Sequence, residues 1–229
     1  MPVYHWKKGL AVQRLLFVWA CMLISENACF AQGLNPDSLL QVIRGNGPDT
    51  FRIVAGKQLG QLYLDSNPAK SLSYFFPALD LAKKSGNWFQ EGLLLQNIGV
   101  AYDINDELDS CLFYLNLASQ FFKNRNMPED QSHVINDIAT AWYYRGNYEL
   151  ALRNYFEALE LRRKSDNPGF ISQSLNNLGV VYKSRKDYGN SIRYYKESLG
   201  IIPGAVEHVP VLVQSPDIQE RIKNAGLVF

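Results

Sequence analysis

A short block of residues recurs about every forty positions, and this period constrains the fold more than any other feature of the chain. Each copy has an aliphatic residue, then a small residue, then an aromatic residue three positions after the small one. The four copies begin at Leu59, Ile98, Ile138 and Leu178, with spacings of 39, 40 and 40 residues. A fixed period of this length is typical of a solenoid, in which each unit buries its apolar face against its neighbours.

Each unit reads as two amphipathic helices. In the fourth unit, Leu175, Leu178 and Tyr182 keep an i, i+3, i+7 spacing on the first helix. Tyr188 and Tyr195 belong to an apolar stripe of the same kind on the second helix. The second helix of every unit carries two small residues seven apart, beginning at Ser71, Cys111, Ala151 and Ser191. Glycine inside a helix costs about 1 kcal/mol relative to alanine. Gly179 therefore predicts a close approach of a neighbouring helix.

These motifs resemble the tetratricopeptide repeat (TPR) family. The run Asn177 to Tyr182, followed by Asp187-Tyr188, Ser191, Tyr195, Ser198 and Pro203, matches the family pattern position by position. The forty-residue spacing is similar to the long-helix variant of bacterial signalling proteins, including peptide-binding quorum regulators and TPR-fused sensor kinases. The resemblance implies an all-α, helix-turn-helix solenoid of about four repeats, covering residues 53–205, with short caps.

The first 31 residues have the pattern of a secretory signal peptide. Lys7, Lys8 and Arg14 precede an apolar run from Leu15 to Ile24, and Ala31 ends a segment suited to cleavage before Gln32. A lipoprotein signal fits poorly, and an apolar run of about 15 Å is too short to span a hydrocarbon core of about 30 Å. We therefore expect an exported protein, periplasmic or secreted, with no stable membrane span after the signal is removed.

The two ends of the solenoid differ in regularity. Residues 32–52 contain a short amphipathic segment that ends at Gly45, which predicts an N-terminal capping helix. Residues 206–229 are predicted to form an irregular tail, because Val206 to Val213 is rich in β-branched residues and is interrupted by Pro210, and a last short helix begins at Ser215 and ends at Gly226. This tail is interpreted either as a short local cap or as the result of a cut or frame-shift within a longer repeat protein.

Composition excludes several classes of function. Removal of residues 1–31 leaves 20 cations against 21 anions, so no basic surplus indicates nucleic acid. The remaining chain has two histidines and one cysteine, and it lacks a phosphate-binding glycine loop. We expect no catalytic residues, no metal and no cofactor. Cys111 is interpreted as a buried inert thiol, the acidic cluster at 103–109 as a solvated turn, and His133 as opening a helix at an exposed or groove position.

The TPR resemblance implies that the first helix of each unit lines a concave face. The implied peptide-binding residues form three rows at forty-residue intervals: Gln96, Asn136, Asn176; Val100, Thr140, Val180; and Asp103, Tyr143, Lys183. Side-chain amides both donate and accept hydrogen bonds, so the first row suits an extended peptide backbone. Alternatively, the neighbouring Asn97, Asp137 and Asn177 bond between adjacent helices. The carboxylate-clamp pattern of the family is not visible.

These observations predict a non-enzymatic scaffold that binds a protein or peptide outside the cytoplasm. Two other functions stay open. One is the extracytoplasmic sensory input region of a TPR-fused signal-transduction protein, and the other is an accessory protein of membrane assembly or secretion.

Overall fold

The computed structural model describes residues 35–201, and within this range all regular secondary structure is α-helical. The predicted signal peptide at 1–31 and the predicted tail at 206–229 lie outside the described residues. No helix in the described range is long and apolar enough to cross a membrane. The nine helices of residues 35–201 are α1 Pro36–Arg44, α2 Asp49–Tyr63, α3 Pro68–Ser85, α4 Trp88–Ile104, α5 Leu108–Asn124, α6 Pro128–Tyr144, α7 Tyr148–Ser165, α8 Pro168–Ser184 and α9 Tyr188–Ile201.

The helices after α1 form four successive antiparallel hairpins, each of which is one repeat. The first helices of the repeats are α2, α4, α6 and α8, and the second helices are α3, α5, α7 and α9. Helix α1 packs against α2 and so covers the N-terminal end of the stack. The first repeat begins at Asp49 rather than at residue 53, directly after Pro48. The observed architecture confirms the predicted all-α solenoid of TPR type.

The helix boundaries follow from local chemistry that repeats with the period of the chain. Asparagine precedes five of the helices, and its side-chain oxygen accepts a hydrogen bond from a first-turn N–H, as with Asn67 and Lys70 N at 2.9 Å. Six turn residues have positive φ, at forty-residue intervals in two series: Gly86, Asn126 and Asp166 between repeats, and Asp106, Gly146 and Lys186 within them. A left-handed residue therefore reverses the chain at each of these turns.

Small residues lie where the two helices of a repeat cross, as the sequence predicts. A Cβ atom placed on Gly179 would lie 2.7 Å from the ring of Tyr195, and one on Gly99 would lie 2.6 Å from Leu115. These glycines therefore make room for the large residue on the second helix. In the fourth repeat Ser191 Oγ also donates to the Gly179 carbonyl oxygen at 2.9 Å, which ties the two helices together at the crossing.

Candidate functional site

The nine predicted groove residues lie along the first helices α4, α6 and α8, and all nine are partly buried. They continue one face of each helix, because their spacing within a helix is three or four residues. This face is called the concave face below and is defined by the three predicted rows. These nine residues are less buried than core residues of the same helices, such as Leu94 and Ile98, which are fully buried.

The amides of the first row join adjacent repeats. Gln96 Nε2 donates to Asp137 Oδ2 at 2.6 Å, and Asn177 Nδ2 donates to Asn136 Oδ1 at 2.8 Å. Gln61 in the first repeat similarly donates to Asn97 at 3.2 Å. The alternative in which neighbouring amides bond between helices is thus observed at Gln96 and Asn136. A primary amide offers two N–H donors and two acceptor sites, so each of these side chains keeps part of its capacity for a ligand.

Asn176, the last member of the first row, accepts or donates no side-chain hydrogen bond among residues 35–201. It is partly buried, so its amide is held on the concave face without being consumed by a neighbouring helix. Among the three predicted amides it is therefore the one best placed to serve a ligand.

Asp137 is the acidic member of this network. Burial raises the pKa of its carboxyl group to about 6, while hydrogen bonds from Gln96 and Asn136 and the more distant charge of Arg162 act in the opposite direction. The carboxylate therefore ionises at the cost of desolvation, and its protonation state changes around pH 6.

The second predicted row is less polar. Thr140 Oγ1 donates to the Asn136 carbonyl oxygen at 2.9 Å and lies 2.9 Å from the hydroxyl oxygen of Tyr155. Val100 and Val180, at the equivalent positions, are partly buried and offer only apolar surface. This row therefore gives the middle of the concave face a mainly apolar floor.

The third predicted row is divided between a neutralised anion and an aromatic cluster. Arg145 binds Asp103 at 2.5 Å and also reaches Asp106 at 3.5 Å, so the acidic turn is balanced by a cation. Tyr143 shares a hydrogen bond with Ser184 across 3.0 Å, and its ring contacts the rings of Tyr144 and Tyr148. Within residues 35–201 no group of three or more His, Cys, Asp or Glu side chains can hold a metal ion.

The sequence interpretation missed three residues on or beside this face. Lys57 stands 39 residues before Gln96, which is the spacing of the first repeat, and burial lowers the pKa of its ammonium group. Ile104 and Tyr144, forty residues apart at the ends of α4 and α6, are 42% and 76% exposed. Extending the first row back by one repeat identifies Lys57. Moving one residue beyond Asp103 and Tyr143 in the third row identifies Ile104 and Tyr144.

His133 is the residue whose surroundings differ most from the sequence interpretation. The expectation that it opens a helix is wrong, because α6 begins at Pro128 and His133 lies in its second turn. The imidazole is partly buried, packs edge-on against the Phe170 ring with 4.4 Å between centroids, and contacts Arg162 of α7.

Cys111 lies in the small-residue position of α5 and is fully buried. Burial raises the pKa of its thiol to about 12, so the reactive thiolate is not formed at neutral pH. This confirms the interpretation of Cys111 as a buried packing residue.

Comparison with known proteins identifies the same repeat. Residues 131–203 match the tetratricopeptide repeat family model. The photosystem I assembly protein Ycf3 of Rippkaea orientalis is 31% identical over 70 residues, which make up 29% of this chain and 39% of that relative. This chain thus spans well under half the length of that relative.

Solved structures with the same architecture cover more of the chain. BtubC from P. vanneervenii superposes with a TM-score of 0.61 and 17% identity over 88% of this chain and 83% of its own. The apo form of the quorum sensor NprR from B. thuringiensis gives 0.64 and 20% over 92% and 59% of the two chains. NprR in complex with its cognate peptide NprX gives 0.59 and 20% over 95% and 62%. Because the family match, the helical hairpins and these neighbours describe one architecture, we conclude that the chain is a TPR-type repeat protein.

Proposed function

We propose that this protein is a non-enzymatic scaffold that binds a protein or an extended peptide along its concave face. The observation that carries the proposal is the row of partly buried amides that keep unused donors and acceptors, ending at the unengaged Asn176. A peptide in extended conformation presents carbonyl and N–H groups to which such amides are complementary. The solved complex of NprR with the peptide NprX supports this use of a similar fold.

The exposed side chains beside the amides supply the apolar part of the proposed site. Tyr144 is 76% exposed at the end of α6, one turn beyond Thr140. Tyrosine combines a large apolar ring with a hydroxyl group, and such residues dominate the energetics of many interfaces. We therefore assign Tyr144 as an anchor for a side chain of the bound peptide.

The test is selection of binding peptides from an immobilised library of random heptapeptides, followed by fluorescence anisotropy with the selected peptide. Asn176→Ala and Tyr144→Ala are each expected to weaken binding about five-fold or more, which corresponds to about 1 kcal/mol. Phe113→Ala is the matched control, because Phe113 is 63% exposed but belongs to α5, a second helix. Equal losses for Tyr144→Ala and Phe113→Ala would place the binding surface elsewhere.

We further propose that the protein acts outside the cytoplasm after removal of residues 1–31. The support is the signal-peptide pattern at the start of the sequence. N-terminal sequencing of the protein from its native host is expected to begin at Gln32, with the protein in the periplasmic or secreted fraction. A full-length N-terminus on cytoplasmic protein would refute this.

Two finer roles are consistent with the scaffold function. A sensory input region is favoured by the neighbour described as a quorum sensor, and an assembly accessory by the relative described as a photosystem I assembly protein. Coding sequence downstream that resumes the forty-residue pattern and then encodes a membrane span would support the first role. Acyl label on the mature protein would support the second.

A further inference from the structure

Arg162 is the largest side chain that the described residues bury completely, with 1% of its surface exposed. It makes no ion pair with a carboxylate of residues 35–201, and it is instead surrounded by hydrogen-bond acceptors. Nη1 donates to Ser174 Oγ at 2.8 Å and to the Phe170 carbonyl oxygen at 3.1 Å, and Nε donates to Ser132 Oγ at 3.3 Å. A buried charge is costly unless its donors are satisfied in this way.

The equivalent positions of the other repeats show how this arginine is accommodated. By the repeat spacing, the equivalent pairs are Ile53 and Ala82 in the first repeat and Gly92 and Phe122 in the second, and each combines a large residue with a small one. The third repeat pairs Ser132 with Arg162, and the serine both leaves room and accepts a hydrogen bond. The polar site is therefore a local replacement of an apolar one, and the fold does not require it.

The remaining nitrogen of the guanidinium group, Nη2, lies 3.2 Å from His133 Nδ1. Arginine has only donors, so Nδ1 must be the acceptor in this bond. An imidazole that accepts at Nδ1 carries its proton on Nε2 and is neutral, because the imidazolium form has no acceptor nitrogen. The contact thus determines both the tautomer and the charge of His133.

The other charges near His133 do not reverse this result. Asp130 and Glu129 on the same helix favour the imidazolium form, whereas burial and Arg162 on α7 disfavour it, and the pKa of His133 is lowered overall. Helix α8 contributes the uncharged Phe170 ring to the packing.

Nε2 of His133 is left available. No side chain of residues 35–201 bonds it, and Gln90 Oε1 is the one buried side-chain oxygen or nitrogen in that range without a partner. Nε2 is therefore unpaired among the described residues without being fully enclosed by them. His133 also precedes Asn136 by three residues on α6, so it lies on the concave face.

We infer that Arg162 is a positioning residue that fixes His133 as a neutral Nε2–H donor for a backbone carbonyl oxygen of a bound peptide. This inference rests on the proposed function, because it adds His133 to the same concave face. The other repeats carry Val54, Leu93 and Gln173 at this position, so the fixed imidazole is a property of the third repeat.

The first test uses the free full-length protein labelled with ¹⁵N at histidine. Long-range ¹H–¹⁵N spectra are expected to show His133 as the Nε2–H tautomer, with a pKa below the ordinary histidine value of about 6.5. The comparison variant is S132G/R162F/S174V, which places the second-repeat set of Gly92, Phe122 and Val134 into the third repeat. In this variant the His133 pKa is expected to rise and the Nδ1–H form to become detectable. A wild-type Nδ1–H tautomer, or an unchanged pKa in the triple variant, would overturn the inference.

The tautomer of wild-type His133 decides the inference even if the triple variant does not fold. Far-UV circular dichroism and thermal unfolding establish whether the variant is native before its spectra are interpreted. Because no ligand is used, this result is independent of whether a peptide is found.

The second test measures binding of the heptapeptide selected by wild-type protein. We expect His133→Phe to weaken binding at least five-fold and His133→Gln, whose Nε2 keeps a donor, to stay within about three-fold. The change in affinity between pH 6 and pH 8 is expected to be larger for S132G/R162F/S174V than for wild type, because Asp137 titrates in both proteins whereas His133 gains a proton more readily in the variant. Normal binding by His133→Phe would refute the ligand role of His133. Failure to select any peptide would refute the proposed function instead.

Discussion

At the scale of single residues, the crossing of the two helices in a repeat depends on the volume of one side chain. Gly179→Leu is expected to lower the free energy of unfolding by about 1 to 3 kcal/mol, because even an added Cβ atom would lie 2.7 Å from the Tyr195 ring. Urea unfolding monitored by circular dichroism measures this change.

Gly200 provides the matched control for that substitution. It lies in α9, and a Cβ atom there would meet no atom of residues 35–201 within 4 Å. Gly200→Ala is therefore expected to be neutral or stabilising by up to about 1 kcal/mol, through helix propensity alone. Equal destabilisation by both substitutions would show that glycine at the crossing has no packing role.

Asp137 makes stability depend on pH. Its folded-state pKa of about 6 lies above the ordinary aspartate value of 3.8, so the folded protein binds this proton more tightly than the unfolded chain does. The resulting stabilisation is present below about pH 4 and is lost as pH rises through about 6. We expect wild-type protein to lose of the order of 1 to 3 kcal/mol from this group between pH 4 and 7.

Asp137→Asn isolates that contribution. The asparagine retains an acceptor for Gln96 but does not titrate, so the difference in unfolding free energy between variant and wild type should increase toward neutral pH. Other groups, including His133, cancel in this difference. A difference that does not vary with pH would show that the Asp137 pKa is not raised.

At the scale of helices and turns, the forty-residue period sets the backbone conformation as well as the packing. Gly146 and Lys186 occupy the same turn position in successive repeats, with φ of 73° and 63°. The left-handed region is unfavourable for residues with a Cβ atom by about 1 to 2 kcal/mol. The lysine is therefore strained where the glycine is not.

Exchanging these residue types tests the equivalence of the two turns. Lys186→Gly is expected to stabilise the protein by about 0.5 to 1 kcal/mol, and Gly146→Ala to destabilise it by about 1 kcal/mol. Both positions are exposed, so changes in packing are small. Thermal unfolding of the two variants provides the comparison, and shifts of the same sign would contradict the assigned turn conformations.

At the scale of the whole molecule, stability comes from contacts within repeats and between nearest neighbours, as in other solenoids. The amide bonds on the concave face belong to the second kind, because they join side chains 41 residues apart. Gln96→Ala would remove one of the two side-chain donors to the Asp137 carboxylate, and Asn136→Ala would leave Asn177 without its acceptor. Each is expected to cost about 1 to 3 kcal/mol of unfolding free energy.

Asn176→Ala is the control for these two variants, because Asn176 makes no side-chain hydrogen bond among residues 35–201. Its unfolding free energy is expected to change by less than about 0.5 kcal/mol. Calorimetry in the absence of ligand separates this structural role from binding. Early melting of Asn176→Ala alone would reverse the assignment of the two kinds of amide.

Much of the fold was predictable from the sequence, because it depends on features that are local and repeated. The helical hairpins follow from apolar spacing and turn residues. The close helix crossing at Gly179 follows from the recurrence of a small residue on the first helix opposite a large residue on the second, which is Tyr195 in the fourth repeat. The three rows of predicted peptide-binding residues follow from the same period, and it is the TPR resemblance that predicts that the first helices face inward. The predicted boundary at residue 53 differs from Asp49 because Pro48 sets the start of α2.

The tertiary structure alone decided how the polar side chains are used. Whether Gln96 donates to a ligand or to Asp137 depends on the distance between successive first helices. The spacing of residues within one helix gives no information on that distance. The burial of Arg162 depends on space left by Ser132 and Ser174, residues of two other helices. A periodic pattern determines which face of a helix is buried, since burial of a face is a sum over many residues. The partner of one polar group depends on a few atoms of distant helices, and so it is fixed only when the repeats pack together.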